Sequence, residues 1–161
     1  MRRKLAIAFG LCALVGAAAA YAATAPPSTS TNLAVARFGS IDLHEHSIPA
    51  SVWQLDLRTR GDSDGYIVDN KIPVGSATGW HTHPGPSLIF VVAGSITNYE
   101  GGVCEGTTYE AGSGFVDEGD GDVHQLVNEG DVPAETIAVQ ILPKGAPRKT
   151  PAPAPATDCA S

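Results

Sequence analysis

The chain has 161 residues, 10 Lys and Arg against 17 Asp and Glu for a formal charge of −7, and 43% hydrophobic residues. That length suits one domain of ordinary size. A strongly acidic chain without a basic stripe is excluded as a nucleic-acid binder, because phosphate contacts need clustered Lys and Arg.

In chain order, residues 1–22 read as an export signal. MRRK is a positive start, LAIAFGLCALVGAAAA an apolar run, and Ala20-Tyr21-Ala22 a small-residue cleavage site. The apolar run is nearly long enough to span a bilayer, but the small-residue tail favours cleavage. The expected product is secreted or periplasmic, with no stable membrane anchor. Loss of Arg2, Arg3 and Lys4 would leave 7 basic residues against 17 acidic ones, near −10. Cys12 would leave too, so Cys104 and Cys159 remain. An even count in an oxidising compartment predicts one disulfide between them. Closing that loop of about 56 residues would stabilise the fold by roughly 4 kcal/mol in the chain-entropy picture.

Residues 23–50 read as a linker or arm, since TAPPSTSTNLA (24–34) has no apolar period. His44-Glu45-His46 lies in this arm and, with no third partner nearby, reads as a solvated edge. Residues 51–143 carry the strands. Residues 52–58 alternate, with Trp53, Leu55 and Leu57 on one face, and 65–74 put Tyr66, Val68, Asn70 and Ile72 together. SLIFVVA (87–93) is continuously apolar and predicts burial on both faces; Gly94 turns it into a partner at 95–99. Residues 114–117, 123–128 and 135–142 complete the set, the last with Ile137, Val139 and Ile141 in phase. Residues 144–161, with PAPAPAT, predict an extended tail.

His81-Thr-His83 stands out within this pattern. Histidines at i and i+2 of a strand share a face and lie about 7 Å apart along it, so both can lean toward one cation. His124, in GDGDVHQLVNEG, follows a glycine-rich turn on another strand-like stretch. Trp80 and Phe90 lie close by in sequence, as cavity lining or core.

The spacing Gly75, five residues, His81-x-His83, three residues, Ser87, six residues, Gly94 resembles the first signature motif of the cupin superfamily. Ser87 stands where that family has glutamate. Gly121, two residues, His124, three residues, Asn128 resembles the second motif, with Gly119 where the family usually has proline. The resemblance spans roughly residues 52–143. It implies an all-β fold, a double-stranded β-helix (jelly-roll) barrel holding one divalent metal on His81, His83 and His124. It also implies a small-molecule ligand or substrate, and pairing into a homodimer through outer strands.

Without the glutamate, the expected site is three imidazoles plus water or substrate, with Ser87 or Asp122 as fourth ligand or supporting hydrogen-bond partner. Asp122 lies two residues before His124 and would share its face. Such a set suits Zn, Fe, Cu, Ni or Mn. Two classes follow: a metal-dependent enzyme resembling dioxygenases, with Asp122 or Glu118 as base, or an exported cupin that binds metal or a small ligand without turnover.

Overall fold

A computed structural model describes residues 25–48 and 52–156. The expected signal segment 1–22 and Cys159 lie outside the described residues. The described residues form twelve strands and no helix: β1 (Thr29–Phe38), β2 (Asp42–His46), β3 (Gln54–Arg58), β4 (Ser63–Ile72), β5 (His81–Thr82), β6 (Ser87–Ala93), β7 (Ser95–Glu100), β8 (Thr107–Glu110), β9 (Gly114–Asp117), β10 (His124–Val127), β11 (Ala134–Pro143) and β12 (Thr150–Pro151). Two five-stranded antiparallel sheets result, ordered β1-β4-β11-β6-β9 and β12-β5-β10-β7-β8, with β2 and β3 as a separate pair. From β4 onward the chain passes from one sheet to the other at nearly every connection, the winding of a double-stranded β-helix.

The inward faces follow the period of two. Ile72, Val91, Ile96, Leu126 and Ala134 form one buried cluster and Val68, Ile89 and Ala138 another. Phe115 packs against both and stacks on Tyr109, the ring centroids 4.4 Å apart. At Gly94 the turn between β6 and β7 has φ 66°, and a Cβ would meet the Pro133 carbonyl at 2.7 Å, so only glycine fits.

Three expectations are corrected. Residues 24–34 are not simply a linker: from Thr29 they enter β1, nine of whose ten residues pair with β4 around a bulge at Leu33. Ser and Thr are competent strand residues at an exposed edge, so polarity hid the element. The β6 run is buried on one face only. Ser87, Ile89 and Val91 point inward, while Leu88, Phe90 and Val92 are each about half exposed, because nothing among the described residues covers the outer face of an antiparallel sheet. Phe90 is therefore neither core nor cavity lining. Trp53 and Leu55 are also exposed, at 54% and 42%. His44 pairs with Asp42 and Asp56 on the exposed β2–β3 ribbon, a solvated ion cluster as the lone H-x-H suggested.

Candidate metal centre

Three strand registers build the site. β10 lies between β5 and β7, and His124 sits directly opposite His81. His83, two residues on, turns to the same interior face, and all three histidines are buried. The two sequence motifs touch at their outer ends: the Gly75 N–H donates to the Asn128 carbonyl at 2.9 Å, and the fully buried Asn128 side chain donates to the Ile72 and Val132 carbonyls at 2.8 and 2.9 Å. That clamp fixes the loop that delivers His81.

Each ring is oriented by a backbone carbonyl. His81 Nδ1 donates to Gly79 O at 2.7 Å, His83 Nδ1 to Arg148 O at 2.6 Å, and His124 Nδ1 approaches Asp122 O at 3.4 Å. A carbonyl can only accept, so the neutral tautomer carries its proton on Nδ1 and leaves Nε2 as a lone pair. One nitrogen from each ring lies within 4.8 Å of the others. Burial pushes the His81 imidazole down to about 3, and burial lowers His83 as well. Both are therefore neutral near pH 7, the form that ligates metal.

Asp117, at the end of β9, is the residue that sequence reasoning missed. Its side chain is 7% exposed; Oδ1 accepts the Gly119 N–H at 3.0 Å, while Oδ2 lies 3.6 Å from His83 Nε2 and 3.8 Å from His124 Nε2 and has no hydrogen-bond partner. A buried carboxylate oxygen without a donor is costly. Three imidazole nitrogens and a carboxylate oxygen brought together in the interior fit a divalent cation by the chemistry of the donor set. Ser87 is fully buried but spends its Oγ as acceptor from Gln140 Nε2 at 2.8 Å. Asp122 is exposed, and its carbonyl rather than its carboxylate meets His124. Cys104 lies in the turn after β7; its expected partner Cys159 is beyond the described residues.

The tail contributes more than extended chain. Besides Arg148 O on His83, β12 pairs with β5, Lys149 Nζ donates to Thr78 O at 2.7 Å, and the Ala152 N–H donates to the carbonyl of half-buried Trp80 at 3.0 Å. Burial lowers both the Arg148 and Lys149 side chains from their ordinary values. The histidines and Asp117 line, together with Gln140, Arg148 and Lys149 among others, a chamber of about 30 Å³, room for little beyond an ion and a water. His124 and Asp117 also line a cleft of about 340 Å³, whose wall carries Glu100, Glu118 and Asp122.

The Cupin domain family matches residues 70–140, the stretch that holds all three histidines and Asp117. No curated protein matches the chain. Solved structures resemble the fold at low identity. A polyketide cyclase from Streptomyces resistomycificus is 14% identical over 77% of this chain and 71% of its own, with TM-score 0.50. A Klebsiella pneumoniae protein with a double-stranded β-helix domain is 23% identical over 52% and 70%, with TM-score 0.45. A cupin superfamily protein from Desulfitobacterium hafniense is 7% identical over 70% and 82%, with TM-score 0.44.

Proposed function

We propose that this chain, whose residues 70–140 match the Cupin domain family, is an exported, metal-dependent enzyme of the oxygen-using type acting on a small molecule. One observation carries the reading: His124 and Asp117 line both the ion-sized chamber and the cleft. A cation in the chamber would thus face the space where a small molecule can sit. The bound metal would supply an open coordination face for substrate and O₂.

The protein's own residues supply orientation and selection. Carbonyls of Gly79 and Arg148 hold two rings in the ligating tautomer. Carboxylates of Glu100, Glu118 and Asp122 on the cleft wall disfavour an anionic substrate and favour a neutral or cationic one. Glu118 and Asp122 stand there as proton acceptors. Export rests on the first 22 residues, and it would permit the Cys104–Cys159 disulfide.

Elemental analysis of the purified protein tests the metal, and nitric oxide tests the open face. Wild type should carry near-stoichiometric transition metal that His83→Ala loses, and iron(II)-loaded wild type should give an electron paramagnetic resonance signal that depends on nitric oxide. Metal without a nitric oxide response would assign a non-catalytic binding cupin. No metal in either protein after reconstitution would sink the reading altogether.

A further inference from the structure

We propose that Asp117 is the fourth ligand of this site, its Oδ2 joining the three histidine Nε2 atoms, so that the centre keeps a carboxylate although Ser87 occupies the glutamate position. The inference deepens the metal reading above and rests on it.

The register states where the carboxylate went. Ser87 on β6 pairs directly with Asp117 on β9, so the acid enters the same interior spot from the neighbouring strand. Its Oδ2 is buried and without a hydrogen-bond partner, 3.6 Å from His83 Nε2 and 3.8 Å from His124 Nε2. Two ligands about 2.0–2.2 Å from one ion sit about 3.0–3.6 Å apart, so Oδ2 already stands within a few tenths of an ångström of ligand spacing from His83 and His124, while the histidine nitrogens, within 4.8 Å of one another, draw in further around the ion. Ser87 leaves room for this: its short side chain is held back by Gln140.

The second departure from the family pattern converges on the same group. Gly119 has φ 77°, which proline cannot adopt, and its N–H, which proline lacks, holds Asp117 Oδ1 at 3.0 Å. Serine at 87 and glycine at 119 are thus two halves of one change, the transfer of the carboxylate across a strand pair. A carboxylate beside three imidazoles lowers the charge of the centre and shifts its preference toward Mn²⁺ and Fe²⁺.

The test is titration of metal-free wild type, Asp117→Asn and Asp131→Asn, the last in an exposed turn that lines neither chamber nor cleft, with Mn²⁺, and with Co²⁺ followed by its visible bands. Asparagine keeps the shape and an acceptor for the Gly119 N–H. Loss of the ligand should weaken Mn²⁺ binding by about tenfold or more and move the cobalt bands, while Asp131→Asn binds as wild type does. Wild-type affinity and an unshifted cobalt spectrum in Asp117→Asn would overturn the inference and leave the three-histidine reading standing. Failure of wild type to bind either ion would remove both. Should Asp117→Asn not fold, loaded-minus-free infrared difference spectra of ¹³C-aspartate-labelled Asp122→Asn protein decide: a shifted aspartate carboxylate band supports ligation, and an unmoved one refutes it.

Discussion

Asp64 shows how much one buried carboxylate can organise. It accepts Arg37 Nε and Nη2 at 2.8 and 3.1 Å and the Gly145 N–H at 2.8 Å, joining β1, β4 and the start of the tail. The Arg37 hydrogen bond and the Gly145 N–H hold its carboxyl below the ordinary 3.8. The folded protein then binds fewer protons there than the unfolded chain. This contribution is present above the ordinary carboxylate range and is lost as pH falls through and below it. In urea titrations, the stability gap between wild type and Asp64→Asn should narrow steadily from about pH 5 to pH 3. A constant gap would show that Asp64 acts by shape alone. Residue-scale reading of the sequence was uneven for a related reason. Three histidines at strand spacing announce themselves, whereas Asp117 in FVDEGD looks like any turn acid until pairing puts it opposite Ser87.

Among elements, alternation and turn-bounded apolar runs exposed β3, β4, β6, β7, β9, β10 and β11 to within a few residues. It failed where an element is polar or very short. β1 is a serine- and threonine-led edge strand, and β12 spans two residues of a proline-rich tail, with no local signal of its own. Cross-strand partners far along the chain decide such segments, and a single-sequence pattern does not contain them. The tail orients His83 through the Arg148 carbonyl. Truncation after Ala146 removes that acceptor and the β12–β5 pairing. Metal affinity should fall by about tenfold or more while the far-UV circular dichroism of a β-barrel persists. Unchanged affinity would mean that His83 keeps its orientation without the tail.

Over the whole molecule, register aligns Ala34, Ile67, Val139, Leu88 and Val116 in one row across all five strands of the first sheet, on its outer side. Ile67, Leu88 and Val116 are between 41% and 57% exposed, an apolar surface that monomers seldom leave to water. Sedimentation equilibrium should find a homodimer that Leu88→Lys and Val116→Lys dissociate; a wild-type monomer at high concentration would refute the pairing. The opposite character belongs to the cleft, where carboxylates crowd the approach to the chamber. Its consequence is kinetic. Converging acidic walls focus the field and raise the local concentration of cations, so a hydrated ion arrives faster than diffusion to a neutral opening would allow, and added salt slows the capture. A cation entering by this mouth sheds water as it passes into a chamber about 30 Å³ in volume, and a molecule that later occupies the cleft closes its route out.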